Sequence, residues 1–448
     1  MLKAGIGASV DSARDGYGLA DGSTVMYGHI ARPTNANSIQ SAYWSNIKLK
    51  PDCSIDTAYG NNGINFMSVS NPSYQVEKLE VVNRLPDGSA YLFGESTQPI
   101  TYLDGTTSYK SGAVTVAKVL ASGAADTAFG VKSTFVYSRA PTAANPFPDD
   151  MSVWDARVLP SGKLLVITLS GGPYFPFAIL RFNADGSPDT TFGAGGRFVV
   201  ANVKADEISS RFQLEAVRSI DVQADGKLLV AGATTGLGNA PTYYPAVVRF
   251  NTDFSVDTSY GDNGVTGLRE GSSDERSIVR VLPDGKALLF GTGYVSSGAS
   301  GAKGFRALTV TRLLSNGQID LTFGTAGVTR IDTDAGKFGP DNSNDVTLRA
   351  ATILPDGKIV MAGDTYNLDA ADSSPAKKRH IGVVRLLPNG LPDPAFANGG
   401  VYSGLETANA ADEVLKSVRV TPDGKLVVTA TRTLPQSDSD WVLYRFTN

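Results

Sequence analysis

The chain has 448 residues, of which 19% are charged, with a formal net charge of −4 and a single cysteine. This balance excludes a polyelectrolyte surface built for nucleic acid or anionic lipid, and one cysteine excludes an intramolecular disulfide and any multi-cysteine zinc site. Two histidines far apart in sequence argue against a histidine-ligated metal; neither cofactor nor metal is expected.

The N-terminal MLKAGIGASVDSARDG lacks the apolar core of a secretory signal, and no run approaches the ~18 apolar residues of a membrane span. Residues 3–10, KAGIGASV, precede an Asp-Gly turn at Gly22 that recurs at Gly88, Gly162 (here as Ser-Gly), Gly226, Gly285, Gly357 and Gly424, in steps of 66, 74, 64, 59, 72 and 67 residues. A unit of this size does not bury its own apolar face, so the repeats belong to one array.

Each repeat opens with a mostly apolar segment ending on the turn, as in VEKLEVVNRLPDG and TLRAATILPDG. Alternation and β-branching predict a strand, and Pro-Asp-Gly or Ala-Asp-Gly predicts a hairpin in which Gly takes positive φ. The second strand, such as KLLVAG or KIVMAG, is apolar on both faces and therefore covered on both. Six positions after the turn glycine stands a small residue: Gly28, Gly94, Gly232, Gly291 and Gly363, with Thr168 and Ala430 in the other two repeats. That residue is expected to let neighbouring backbones approach closely.

The third strand carries a basic residue in every repeat: Lys48, Lys118, Arg181, Arg249, Arg312, Arg385 and Arg445. Eight positions later stands Asp56, Asp126, Asp189, Asp257, Asp320 or Asp393, opening D-x-x-[FY]-G in five repeats and DPAFA in the sixth. The pair is expected to be a structural ion pair, Arg249 with Asp257 for example. A short fourth strand follows. The seventh repeat stops before its aspartate and fourth strand, and residues 1–10 are expected to supply the missing strand by pairing near Trp441 to Phe446, which removes two exposed edges.

The fold expected is therefore an all-β, seven-bladed β-propeller of four-stranded antiparallel blades closed by the N-terminal strand. It forms a single domain over 1–448, with blades near 11–67, 76–135, 150–201, 214–268, 274–332, 345–404 and 411–448. The pattern LPDGK-x4-G followed by v-x-R-[LF]-x2-[ND]-G-x2-D-x2-FG-x2-G resembles the delta-60 repeat family of bacterial and phage β-propellers, along essentially the whole chain. The resemblance implies the propeller fold and no particular reaction. That family is often seen in large surface or secreted proteins.

Spacing within the turn and corner motifs is constant, whereas the distance from turn glycine to basic residue runs from 19 to 30. Length variation thus sits between strands two and three and between blades, on one face, and loops on a rigid scaffold are where binding sites usually lie. The loop segments expected there are 28–41, 95–112, 131–150, 233–245, 292–303, 333–344 and 364–379. Tyr102, Tyr109, Tyr243, Tyr244 and Tyr366 are the binding candidates, as stiff amphipathic surfaces for protein or sugar, the plainer alternative being cover for the upper core. An acidic residue stands 11 or 12 positions before each turn glycine: Asp11, Glu77, Asp150, Glu215, Asp274, Asp345 and Asp412. At a channel mouth these seven would hold a cation or basic group, or else cap backbone amides between blades. Asp332, Asp334, Asp341 and Asp345 form the densest acidic patch, without the rest of a calcium loop. No G-x-S-x-G, H-E-x-x-H or phosphate-binding loop occurs, although a carboxylate pair, as in glycosidases, needs no motif.

The function expected is non-enzymatic: a recognition or structural scaffold within a larger assembly, a virion (phage tail or fibre-associated) protein first. The alternative is a secreted or surface glycan-binding adhesin or glycan-acting hydrolase using the same face. The partners expected are other proteins of the assembly or a cell-surface glycan, with no nucleic acid and no membrane insertion, in a virion or extracellular setting.

Overall fold

The computed structural model describes residues 2–4, 11–32, 41–67, 78–101, 107–129, 134–137, 151–170, 177–193, 195–200, 214–235, 243–268, 277–295, 305–331, 346–366, 379–403, 412–433 and 439–446, with some strand-end side chains excepted. Among these residues there is no helix. The strands form seven four-stranded antiparallel sheets, the blades of a seven-bladed β-propeller.

The chain divides into two compact units, residues 1–202 with 437–443 and residues 203–436 with 444–448. The first unit begins with β1 (Leu2–Ala4) and a sheet of β2 (Asp11–Gly18), β3 (Thr24–Arg32), β4 (Ser41–Leu49) and β5 (Ile64–Met67). It continues with β6 (Lys78–Arg84), β7 (Ala90–Thr101), β8 (Thr107–Val119) and β9 (Thr134–Tyr137), then β10 (Met151–Val158), β11 (Leu164–Ser170), β12 (Phe177–Phe182) and β13 (Arg197–Val200). In the second unit lie β14 (Leu214–Val222), β15 (Leu228–Thr235), β16 (Tyr243–Phe250) and β17 (Val265–Gly267), followed by β18 (Ile278–Val281), β19 (Ala287–Val295), β20 (Phe305–Leu313) and β21 (Val328–Ile331). The next sheet is β22 (Thr347–Ile353), β23 (Ile359–Tyr366), β24 (Arg379–Leu386) and β25 (Val401–Ser403). The last joins β26 (Asp412–Val420), β27 (Leu426–Thr433) and β28 (Ser439–Phe446) to the N-terminal strand, in the order β1-β28-β27-β26. Leu2, Lys3 and Ala4 face Leu443, Val442 and Trp441. The described pairing thus falls at the start of the segment expected, and residues 5–10 lie outside the described ones.

Each Asp-Gly turn is a three-residue hairpin loop with a left-handed glycine. In the sixth sheet Leu354 donates to the Lys358 carbonyl at 2.8 Å, and Gly357 donates to Leu354 at 2.9 Å with φ of +81°. The Asp356 carboxylate accepts the Lys358 amide at 3.1 Å, so the aspartate serves the turn it sits in. Behind the turn the second strands are buried on both faces: Leu164 to Ile167, Leu228 to Ala231 and Ile359 to Ala362 are all core.

The first strands are less regular than their alternation suggests. Six carry a bulge at the same place, between Ala13 and Asp15, Leu79 and Val81, Val153 and Asp155, Val217 and Ser219, Leu348 and Ala350, and Leu415 and Ser417. The extra residue bends the strand and takes its neighbours out of the ladder. Opposite the bulge lies the small residue of the second strand, and the structure shows what fills its space. A Cβ on Gly94 would strike the Lys78 carbonyl of its own sheet and lie 2.6 Å from the Trp44 ring of the preceding sheet. Gly28 meets the Trp441 ring in the same way, Gly291 faces Pro245 and Gly363 faces Leu308. The side chain in each case stands four residues before the basic residue of the third strand. The small residue is therefore a socket for a side chain as well as a point of backbone approach.

Two outcomes follow from these contacts. Gly94→Ala should cost about 1–3 kcal/mol, the usual range for overpacking, measured by denaturant unfolding; a neutral change would mean that Trp44 is not seated on Gly94. Deleting residues 1–4 should lower the melting temperature because it bares the edge of β28. An unchanged temperature would show that β1 contributes nothing to the last sheet.

Candidate functional site

At the turn-bearing end of the sheets the charged residues form closed clusters. The Asp257 carboxylate accepts from Arg249 Nε at 2.8 Å and Lys227 Nζ at 2.7 Å on one oxygen, and from the Ser259 hydroxyl at 2.6 Å and amide at 3.1 Å on the other. Arg181 and Lys163 hold Asp189 likewise, Arg312 and Lys286 hold Asp320, and Arg385 and Lys358 hold Asp393. Lys48 pairs with Asp56 and Lys118 with Asp126. The expected pair is present, and the lysine that follows the turn glycine is its third member. The signal for that role is the lysine of LPDGK, which directly follows the turn glycine.

The aromatic of D-x-x-[FY] completes the cluster. Arg249 lies 4.4 Å from the Tyr260 ring centroid, Arg312 4.7 Å from Phe323 and Arg385 4.7 Å from Phe396. The same ring also covers a glycine of the next sheet: a Cβ on Gly317 would lie 2.8 Å from Tyr260, and one on Gly390 2.7 Å from Phe323. Arg249 also donates to the Ser315 carbonyl, and Arg312 to that of Pro388. In these sheets the corner therefore binds one sheet to the next, and its charges are committed.

Their titration reflects this. The Thr322 hydroxyl, more than burial opposes it, helps Arg312 hold the Asp320 carboxyl at about 2. Burial would raise Asp257, but Lys227, Ser259 and Arg249 outweigh it and keep it well below the usual carboxylate range.

At the opposite end the polar side chains have a different use. Seven positions after the turn glycine, Glu95 accepts the Val153 amide at 3.0 Å, Thr292 the Leu348 amide at 3.1 Å and Asp364 the Leu415 amide at 2.6 Å. Each of these amides sits at the bulge of the following sheet's first strand. The bulge frees a buried donor, and the preceding sheet satisfies it. A polar residue ending an apolar strand, as in FGE, FGT and AGD, was the available signal. Burial raises the Glu95 carboxyl, helped by the charge of Glu80. It also raises Asp364, against the pull of Arg349, the Leu415 amide and Arg379.

Of the seven acidic-ring residues, Asp412 alone has a described side chain. It accepts the Arg379 amide and Nε, each at 2.9 Å, and pairs with the same guanidinium through its second oxygen. It is thus an amide cap rather than an open ligand. Asp11 and Glu215 lie in β2 and β14 with side chains outside the description, and Glu77, Asp150, Asp274 and Asp345 lie outside the described residues, as do Asp332, Asp334 and Asp341. Next to Asp412, Glu413 is buried between Arg432 and the Tyr444 hydroxyl, which donates to it at 2.5 Å. Among the described residues no group of three or more His, Cys, Asp or Glu is placed to hold a metal ion. Cys53 is buried at φ +66°, its thiol 3.7 Å from the Pro51 carbonyl. No helix among the described residues is long and apolar enough to cross a membrane.

The segments between second and third strands are shorter than the sequence suggested, because the strands run on. Strand β7 reaches Thr101 and β8 starts at Thr107, so most of 95–112 is hairpin. In 233–245 strand persists to Thr235 and resumes at Tyr243, and in 364–379 it persists to Tyr366 and resumes at Arg379. The mixed composition of STQPIT carries no apolar strand signal, yet its backbone keeps the cross-strand ladder. Tyr109, Tyr243, Tyr244 and Tyr366 have strand backbones with side chains outside the description, and Tyr102 lies outside the described residues.

The β7–β8 hairpin goes furthest. Among the described residues its cross-strand pairing continues from Ser96 opposite Ala113 to Thr101 opposite Thr107, past the last described pair with β6, Lys78 opposite Glu95, and with β9, Tyr137 opposite Val114. This two-stranded arm extends about 20 Å, at the usual rise per residue.

Three segments of the chain, 159–192, 223–260 and 354–396, match a family described as "Domain of unknown function (DUF5122) beta-propeller". This supports a β-propeller repeat. No curated protein matches the sequence. Among solved structures the chain is similar to a PL25 polysaccharide lyase, an ulvan lyase bound to -[GlcA(1-4)Rha3S]-, at 11% identity and TM-score 0.48, covering 98% of this chain and 95% of that one. A protein of unknown function from Dyadobacter fermentans matches at 9% identity and TM-score 0.42, covering 97% and 94%. An α-L-arabinofuranosidase from Fusarium graminearum matches at 10% identity and TM-score 0.36, covering 65% and 93%. At such identities and scores these likenesses carry no argument about activity.

The corner generates a pH prediction. A carboxyl whose folded value is depressed contributes stability that is fully present above its unfolded value, about 3.9 for aspartate, and lost as pH falls through the folded value. Asp320→Asn should therefore cost about 1–3 kcal/mol at neutral pH. The gap from the parent should close as pH falls from about 4 towards 2. A gap independent of pH would show that the Asp320 charge is not what the corner uses.

Proposed function

We propose that this propeller is a non-enzymatic recognition scaffold that binds glycan through the end of its sheets remote from the Asp-Gly turns. The observation that carries the reading is the β7–β8 arm, whose cross-strand pairing continues beyond the last described pairs with β6 and β9. Tyr109 lies on that arm and Tyr102 beyond its β7 strand, while Tyr243, Tyr244 and Tyr366 stand where other second and third strands leave their sheets. Aromatic rings with a polar edge suit the apolar faces and hydroxyls of sugars. A binding rather than a catalytic role is supported by the state of the described carboxylates at this end. Glu95, Asp364, Asp412 and Glu413 are each tied to an amide, an arginine or a tyrosine, whereas glycoside hydrolysis needs two that face the substrate. The same end would serve a protein partner in a larger assembly, a virion included.

The test is a glycan array probed with the purified chain, the Tyr243→Ala/Tyr244→Ala double variant and a variant whose 97–111 segment is cut to a tight turn. The parent should bind a defined glycan class, and at least one variant should lose about tenfold or more in affinity, as removal of aromatic anchors does, with little change in melting temperature. Release of new sugar ends during incubation would make the protein an enzyme. Capture of a protein in place of any glycan would move the reading to an assembly component.

A further inference from the structure

The chain contains five Asn-Gly sequences, Asn62-Gly63, Asn263-Gly264, Asn316-Gly317, Asn389-Gly390 and Asn398-Gly399. Asparagine before glycine is open to an intramolecular reaction. The glycine amide nitrogen loses its proton and attacks the asparagine Cγ, a C–N bond forms, ammonia leaves, and the resulting succinimide takes up water to give aspartate or isoaspartate. The reaction needs a glycine nitrogen free to give up its proton and room for the side chain to fold onto it.

In four of the five, the fold withholds that nitrogen. Gly63 donates to the Tyr59 carbonyl at 2.7 Å, Gly264 to Tyr260 at 2.6 Å, Gly317 to Leu314 at 2.8 Å and Gly390 to Leu387 at 2.9 Å. Two of the asparagine side chains are held as well, Asn316 Oδ1 by the Gln318 amide and Asn389 Oδ1 by the Leu391 amide, each at 3.0 Å. The fifth is shifted by one place. In FANGGV the glycine whose amide closes the corner is Gly400, which donates to Phe396 at 2.7 Å. The nitrogen that follows Asn398 is then that of Gly399, which donates to no acceptor among the described residues. Gly399 is exposed at φ +62° with nothing within 4 Å of where a Cβ would stand, and Asn398 is exposed with no side-chain hydrogen bond among the described residues. Asn398 instead spends its backbone on a reciprocal pair with Val401, at 3.1 and 3.3 Å.

From this contrast we propose that Asn398 is a site of spontaneous modification, converting to aspartate and isoaspartate while the protein is folded. Water is the sole co-reactant and ammonia the product. The isoaspartyl form adds a carbon to the backbone inside the Asn398–Val401 pair, at the base of β25, so the modified corner no longer matches the other sheets.

Incubation of the folded protein at mildly alkaline pH, followed by peptide mapping with mass spectrometry, tests this. Asn398 should convert about fivefold or more faster than any of the other four, the ratio that one retained hydrogen bond of ordinary strength implies. In the denatured chain the five should converge, since sequence alone then governs. Asn398→Gln should remove the fast phase and leave the others unchanged. The proposal fails if another Asn-Gly converts as fast in the folded protein, or if Asn398 converts more slowly folded than unfolded by the same factor as the rest.

Discussion

In the second unit neighbouring sheets are joined by a recurring contact in which a third-strand arginine lies against the aromatic of D-x-x-[FY] while its Nε grips the aspartate that opens that motif. The guanidinium is the hinge of three demands. It neutralises a buried carboxylate, it stacks on a ring, and in Arg249 and Arg312 it donates to a carbonyl of the following sheet. Removing one partner would leave a buried charge unpaired, which is far more costly than the pair is favourable. That asymmetry explains why the turn lysine converges on the same aspartate. With both Asp257 oxygens occupied, burial of the group becomes tolerable.

The sequence made this corner legible as a spacing and left its geometry hidden. A basic residue eight places before an aspartate fits an antiparallel return, so the ion pair could be read from the chain alone. The reach of Tyr260 onto Gly317, or of Phe323 onto Gly390, could not, because it joins residues in different repeats whose separation in sequence carries no periodic mark. The turns, the strand order and the pairing of the N-terminal strand with β28 were open to inference for the opposite reason. They depend on local conformation and on counting strands, both of which repeat.

The bulges show where pattern reading stops. Alternation in VEKLEVVNR or TLRAATI is only slightly disturbed by one extra residue, so a strand is inferred and the bulge is missed. Yet the bulge decides what happens at the other end of each sheet. It turns the Val153, Leu348 and Leu415 amides towards the preceding sheet, where Glu95, Thr292 and Asp364 accept them. Three chemically different residues do one job there, which hides the position from a search for identical letters. Glu95 and Asp364 look like functional carboxylates when judged by burial and raised pKa alone; their hydrogen bonds give them a structural use. Asp412, inferred as part of an acidic ring, proves to be bound to Arg379 on the same logic.

The two ends of each sheet therefore differ in what a change would cost. At the turn end a shift of one residue would misplace an arginine, an aspartate and an aromatic together, and the following sheet would lose its seat. At the other end the constraint lapses once the amide cap has been passed. Beyond Glu95 the β7–β8 ladder adds six further cross-strand pairs. Lengthening a connection there costs only ~0.6 kcal/mol for each doubling of a flexible loop, small against the energy of one misplaced buried charge. Beyond the caps, length can therefore vary at that end at small cost to the fold. The repeating contacts of the turn end do not dictate how far a second and third strand run on past the cap, as the lengths of β7 and β8 show.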